Sequence, residues 1–599
     1  MAQAPEAAAR TGEERAARPP ERLSLSTMII FGAPSFVAAA MAVPILVFMP
    51  QFYTDVVLVP AGFVALAIAA ARCFDAITDP VMGFFTDRTR SRWGRRKPWI
   101  ALGAPFLALC FYLLFDPPGG MHGVDAGIWF ALFFSTYFLF TTVVYIPHQA
   151  LGAELSLDTR ERGGLFGINA AFIALGTIIA SILPTALAAH GVSDPRARFH
   201  LMAAMYAVGV VVLYGLFLWK VRERPEFRDR GHNPLVPGVR RAMRNRPFRV
   251  MFLAAICYAI PHAIPATLMP YYTLYVIHPP HPMRWLGMFL LAYLGSGFLF
   301  LPLWVWLSRR IGKLWVWIIC SAIGVTGGVA LFFNGPGDQL RVLLLELYVG
   351  AQFGAFFFLG GAMHADVIDY DEFRTGQRRE AQFLSFWTLI PKFATIPGAA
   401  IPVAILAWAG YVPNQAQTPE VLLTIRSLFA LLPGVFNLLG LLAMLWYPLS
   451  EARHRAIRAG IARHEQGLSA LDPITGRDTP PPEERDVPAG TAWFLDNFSR
   501  RELARLARDP RAGLLAPVWR AVGVSALVLA ACVAAAIVSF DSLAHRPGPL
   551  MVAAVVAAGF ALTAVLFQLL RVRPAMRLRA SPPTRADIER HLAAIRRMD

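Results

Sequence analysis

Apolar stretches of about 20 residues recur along the chain, separated by short segments rich in Arg, Pro and Gly. They fall near residues 26–53, 61–86, 98–115, 127–153, 163–187, 200–221, 248–276, 285–307, 314–334, 341–365, 383–410 and 421–447, with two more near 516–540 and 549–571. Runs of that length cross a hydrocarbon core of about 30 Å as helices. Their apolarity is continuous rather than alternating, and lipid offers backbone amides no water, so the runs predict helices and not barrel strands. The expected fold class is an all-α polytopic membrane protein of about 14 spans.

Composition fits a lipid-embedded chain. Of 599 residues 56% are hydrophobic and only 16% charged, which excludes a disordered or fibrous protein. The net charge of +17 would suggest nucleic acid, but the positions of the charges argue against it. Basic residues gather in alternate turns: Arg88 to Lys97, Arg160 and Arg162, ten from Lys220 to Arg249, then Arg309, Arg310 and Lys313. The intervening turns are nearly bare of Lys and Arg. Such an asymmetry marks the cytoplasmic side of an inner membrane, with both termini cytoplasmic and the clusters available to anionic lipid. The five cysteines all fall in apolar runs and suggest neither a disulfide nor a metal site.

Two turns repeat at an offset of six spans. Asp87-Arg-Thr-Arg-Ser-Arg-Trp-Gly-Arg-Arg-Lys-Pro-Trp99 corresponds to Ser308-Arg-Arg-Ile-Gly-Lys-Leu-Trp315, and Glu154 to Arg162 corresponds to Asp366 to Arg374. The expected organisation is a cytoplasmic tail (1–24, disordered and not a cleaved signal), a six-helix half (25–221), a basic linker (222–247) and a second six-helix half (248–449). A cytoplasmic linker (450–515), an accessory hairpin (516–571) and a basic tail (572–599) follow. Within 450–515, helix is expected near Glu451 to Arg463 and from Ser499, with a Pro-rich break at Thr479 to Pro488. Two such halves imply alternating access around a midplane ligand.

Span two carries Arg72, Asp75 and Asp79 on one helical face, with Thr78 beside Asp75. A charge at the bilayer centre costs at least about 2.5 kcal/mol, so these must look inward at partners, water or a cation. Either they form a packing salt bridge or the two carboxylates hold Na⁺ or a shared proton; one arginine cannot neutralise both. Lys392 is the only one of four lysines deep inside a span, in a chain that otherwise uses arginine, and it can compensate the acidic pair. Glu346 admits an interfacial and a functional reading. His148 and His262, each beside a proline, are either substrate-facing or hydrogen-bonded at helix kinks.

The run Asp75-Ala-Ile-Thr-Asp-Pro-Val-Met-Gly83, the turn from Asp87 to Trp99, Ala365 to Phe373, and Tyr53 to Val57 together resemble signatures of the glycoside-pentoside-hexuronide:cation symporters. That family is the melibiose permease-like branch of the major facilitator superfamily, and the resemblance spans roughly residues 25 to 450. It implies two six-helix halves, a cation site of Asp75, Asp79, Thr78, Thr142 and Lys392, and a sugar path lined by Thr388. It also implies a cytoplasmic gate locked by charge pairs among Asp87, Arg88, Arg95, Arg96, Asp366, Asp369 and Arg374. Where the family has a sugar-binding carboxylate and a nearby tryptophan in helix four, this chain has Tyr145 and Gln149. With Arg72 and His148 these complete the candidate substrate site.

The expected function is a secondary active transporter, not an enzyme, coupling Na⁺ or H⁺ to uptake of a sugar or glycoside-like solute without a cofactor. Its expected partners are the small-molecule substrate and membrane lipid, no nucleic acid, and an unidentified partner for the C-terminal hairpin. Alternatives are a carrier of an amphiphile such as a lysophospholipid, a proton-coupled exporter, and a non-transporting sensor or scaffold.

Overall fold

The computed structural model describes residues 23–155, 159–223, 235–376, 380–481, 489–509, 513–542 and 547–598. The tail read over 1–24 lies outside the described residues but for 23 and 24, and the Pro-rich break read at 479–488 lies outside them from 482 onward.

Helices occupy all fourteen apolar runs. The first half holds α1 (Leu25–Val56), α2 (Ala61–Arg88), α3 (Lys97–Phe115), α4 (Gly123–Leu155), α5 (Thr159–Ala189) and α6 (Pro195–Lys220). The second holds α7 (Arg246–Ile277), α8 (Pro282–Leu299 and Leu301–Ile311), α9 (Lys313–Phe332), α10 (Gln339–Thr375), α11 (Glu380–Trp408) and α12 (Pro419–Leu445). The hairpin is α13 (Leu515–Ser542) and α14 (Pro549–Leu569). Twelve helices among the described residues are long and apolar enough to cross a membrane, and a thirteenth if α8 is one span bent by 42°. The bend falls beside Pro302, which cannot donate to the helical ladder. In α11 the apolar stretch among the described side chains is Lys392–Trp408. The chain is an integral membrane protein.

Helix starts follow local chemistry. Ser24, Asp194, Asn245 and Thr418 each accept a hydrogen bond from an amide in the first turn that follows, satisfying donors left open at a helix N-terminus. The packing repeats at a six-helix offset: α1 lies on α5 and α6, α2 on α4, and α3 on α4 and α6; α7 lies on α11 and α12, α8 on α10, and α9 on α10 and α12. Small residues permit the close crossings. A Cβ at Gly354 of α10 would stand 1.8 Å from the Gly297 carbonyl of α8, so only glycine fits.

Between the halves, α2 packs on α11, α5 on α8, and the later turns of α1 on α7. The Arg-rich turns lie at one end of the bundle, called here the basic end; the opposite end is the far end. A linker helix (Leu235–Arg244) leads into α7 and packs on α7 and α11 of the second half. Beyond α12 come a helix (Glu451–Glu465), a two-stranded ribbon (Ala470–Leu471 with Asp478–Thr479) and short helices Ala489–Leu495 and Arg500–Arg508. Ser499 and Glu502 form a reciprocal cap on the last of these, which buries Leu503 and Leu506.

Candidate functional site

Asp75 and Asp79 project from one face of α2 and are 3% and 7% exposed. Thr142 of α4 donates toward Asp75 Oδ1 (3.1 Å) and Asp79 Oδ1 (2.8 Å), fixing the two carboxylates from within the first half. From α11, in the other half, Lys392 Nζ lies 3.3 Å from Asp75 Oδ1 and 2.5 Å from Asp79 Oδ2. The ammonium thus stands between two acids that would otherwise repel each other in a desolvated setting. Among the described residues no three His, Cys, Asp or Glu side chains converge on a metal position. The donor set is two carboxylates and a hydroxyl, oxygen chemistry suited to a hard monovalent cation or a proton.

The other residues singled out in the sequence divide. Arg72 does not bridge to the acids; its guanidinium carbon lies 4.3 Å from the Phe138 ring centroid, a cation–π contact. The Thr78 hydroxyl donates to the Asp75 carbonyl at 3.0 Å, a bond within its own helix, so Thr78 is not among the donors to the carboxylates. His148 is not substrate-facing: it is fully buried, its Nε2 is 3.0 Å from the Phe31 carbonyl, and Phe31, Tyr214 and Phe217 surround its ring. The apolar, aromatic surroundings favour the kink reading. Tyr145 is 41% exposed and lines a small cavity with Tyr137, Thr141 and Tyr214. Gln149 keeps a buried amide nitrogen without a hydrogen-bond partner. Thr388 lies on α11, and its side chain, like that of Asp87, is outside the described residues. His262 reaches the Tyr293 hydroxyl at 2.5 Å, and Glu346 is buried with Oε1 unpaired.

The gate residues pair differently from expectation. The described pairs join residues of one half to each other or to the segment that follows that half, Glu223 and His454 being of the second kind. Arg95 and Arg96 both reach Glu154, the latter at 2.6 Å, and Glu223 accepts the Arg95, Arg96 and Lys97 amides at 2.7 to 2.9 Å, capping α3. In the second half Lys313 meets Asp366 at 2.5 Å, and His454 meets Asp369 at 2.9 Å and Asp366 at 3.5 Å. Arg374 stacks over Tyr370 at 5.4 Å. Arg88 ends α2 at the same end of the bundle.

Besides Lys392 with Asp75 and Asp79, the described residues make polar contacts between the halves at the far end, around Asp55. Its carboxylate accepts from Tyr411 at 2.5 Å and Tyr275 at 2.9 Å, its carbonyl accepts from Asn414 at 2.8 Å, and neighbouring Thr54 is 2.9 Å from the Tyr271 hydroxyl. Sequence reasoning missed this cluster, because its partners lie more than 200 residues away and tyrosines carry no charge signal. An acid closing α1 was the one available hint.

Residues 30–451 match the family described as MFS/sugar transport protein. The chain belongs to that family. It is 29% identical over 427 residues to a glucuronide carrier protein homolog of Escherichia coli, covering 68% of this chain and 89% of that one. It is 25% identical to an isoprimeverose transporter of Lactiplantibacillus pentosus (70% and 88% covered) and 24% identical to a sodium-dependent lysophosphatidylcholine symporter of Danio rerio (72% and 87%). Among solved structures, the nucleoside transporter NupG superposes with a TM-score of 0.53 at 12% identity, covering 70% of this chain and 99% of that one, a likeness of fold. The MFS/sugar transport match stops at residue 451, so the later helices are an addition to the family's unit.

Proposed function

We propose that this chain is a cation-coupled symporter of a sugar or glycoside-like solute, working by alternating access, with the basic end in the cytoplasm of a plasma-type membrane. It acts as a carrier, not an enzyme. The observation that carries this reading is the Lys392 ammonium lying between Asp75 and Asp79, because it joins the two halves through the very groups that can bind a cation.

An arriving Na⁺ or proton takes the place of the ammonium between the carboxylates, and Thr142 holds their geometry meanwhile. Lys392, 31% exposed at its side chain, is then released toward the space between the halves. Solute binds there, among groups that include Arg72, Tyr145, Gln149 and Thr388. Only when the acidic pair stays neutralised can the halves move without dragging bare charge through a dry midplane. The Asp55 cluster closes the far, outer end in the arrangement described, so solute exchanges at the cytoplasmic end.

The E. coli and L. pentosus relatives, named for glucuronide and isoprimeverose, support a glycoside. Tyr145 favours a second reading: an exposed phenol where a carboxylate would bind sugar hydroxyls suits an amphiphile, and one relative is named for lysophosphatidylcholine. Uptake into proteoliposomes of labelled glucuronides, pentosides and lysophosphatidylcholine, under a Na⁺ gradient and then a pH gradient, decides between them. Accumulation of a glycoside under one gradient supports the first reading; accumulation of the lysolipid alone supports the second, and of neither overturns symport.

A further inference from the structure

Residues beyond the family match reach back onto the carrier in the membrane and at both ends, His454 already through Asp366 and Asp369. Within the membrane, α14 packs on both α2 and α11, one from each half. Gly559 faces Cys73 so closely that a Cβ there would stand 2.3 Å from Cys73 Sγ, and Phe560 stacks on Phe393 with centroids 5.6 Å apart. Cys73 precedes Asp75 by two residues, and Phe393 follows Lys392 directly. At the far end, a Cβ at Gly62 of α2 would meet the Pro547 carbonyl at 2.2 Å. At the basic end, Arg571 is 2% exposed just after α14 and donates to the Asn497 carbonyl at 2.9 Å and Glu502 at 2.6 Å.

Next to that anchor lies Asp496, 1% exposed, which pairs with Arg241, with Arg244 at 2.6 Å and with His591 at 3.0 Å. The two arginines belong to the linker helix, and the Arg241 guanidinium also stacks 3.7 Å over Trp493. Asn245, directly after the linker helix, donates to the Val367 carbonyl of α10 at 3.2 Å. Leu495, Phe498, Leu506, Leu578 and Ile588 form a separate apolar core that makes one unit of these segments.

We infer that α14 and this terminal module form a brace across the seam between α2 and α11, positioning Asp75 against Lys392 and favouring the arrangement in which the far end is closed. Gly559, Phe560 and Asp496 are positioning residues, acting through the helices they touch. The halves exchange access by moving α2 against α11, and α14 lies against both with no space at Gly559. Its basic end is held by Arg571 to a module that grips the linker through buried ion pairs. Breaking one of these strands a buried charge, so the brace releases as a unit or not at all. The inference rests on the symport reading only in the role it gives Asp75 and Lys392.

The test uses the full chain in lipid without substrate, with Cys532→Ser and nitroxide labels at two exposed positions of the basic end, Arg92→Cys on the first half and Arg458→Cys on the helix Glu451–Glu465 that packs on α10 of the second half. Pulsed electron–electron distances are compared with and without Asp496→Ala or Phe560→Ala, alongside the half-saturating concentration of the coupling cation. The brace predicts a second, shorter distance whose share rises about tenfold in each variant. It also predicts a shifted cation half-saturation in Phe560→Ala that Phe560→Leu restores. If Asp496→Ala does not yield monodisperse protein, Phe560→Ala carries the test, since that ring is already 42% exposed. Unchanged distances in the folded variants overturn the brace and leave symport standing; loss of cation-driven uptake in the unaltered chain overturns symport and leaves the brace standing.

Discussion

Lys392 Nζ lies 2.5 Å from Asp79 Oδ2, and the two residues come from opposite halves of the molecule. The ammonium is thus a counter-ion, supplied by one half, to two buried carboxylates of the other. It lets the acidic pair persist in the membrane interior before any external cation arrives.

Removing that internal competitor has a definite sign. Lys392→Met is expected to bind the coupling cation more tightly, by roughly three- to tenfold given that the ammonium is partly exposed, while slowing net transport. Calorimetric titration with Na⁺, or with acid if the coupling ion is H⁺, checks it. Weaker binding would mean that Lys392 assists the cation and does not compete with it.

Asp55 makes the matching prediction at the far end. Its carboxylate accepts from Tyr275 and Tyr411, so Asp55→Ala removes the charged acceptor of both and leaves Tyr411 the Tyr275 hydroxyl at 3.0 Å. Bonds to a charged acceptor contribute about 1.5 to 3 kcal/mol, a shift of roughly ten- to a hundredfold toward the arrangement open at that end. Labels at Gly119→Cys and Gln415→Cys, exposed on either half, report it as a longer distance.

The terminal module has a pH signature. Burial alone would raise the Asp496 carboxyl, but the His591 hydrogen bond and the Arg244 and Arg241 charges outweigh it and hold the group well below the usual carboxylate range. A depressed folded value stabilises the module fully above the unfolded value of about 3.9 and loses that contribution as pH falls through the folded value. Asp496→Asn is expected to lose about 3 kcal/mol at pH 7 and to flatten the acid response below about pH 4. Urea titrations run from pH 7 down to about pH 3, followed by the part of the tryptophan emission change that Trp493→Phe abolishes, measure both effects.

Much of this architecture was legible in the chain, for physical reasons. Continuous apolarity marks a helix in lipid, so all fourteen runs are found as helices, and the six-span offset of the Asp87 and Ser308 turns reappears in the packing. Asp75, Asp79 and Lys392 stood out because charge in lipid is costly, a signal visible without neighbours. What depends on partners far along the chain was not legible. His148 proved a core residue held by Phe31, Arg72 turned to Phe138 rather than to Asp75, and the described pairs of Arg95 and Arg96 with Glu154 and of Lys313 with Asp366 each lie within one half. The Asp55 cluster and the grip of Asp496 on Arg241 and Arg244 join segments separated by hundreds of residues, with no periodic pattern to announce them.

The most direct test of the central claim is Asp79→Asn in proteoliposomes, with downhill exchange and uphill accumulation of the same solute measured side by side. Neutralising Asp79 removes the charge that the cation must balance, so exchange should persist while accumulation under the Na⁺ or proton gradient falls to background. Full accumulation against a gradient in that variant would contradict the account.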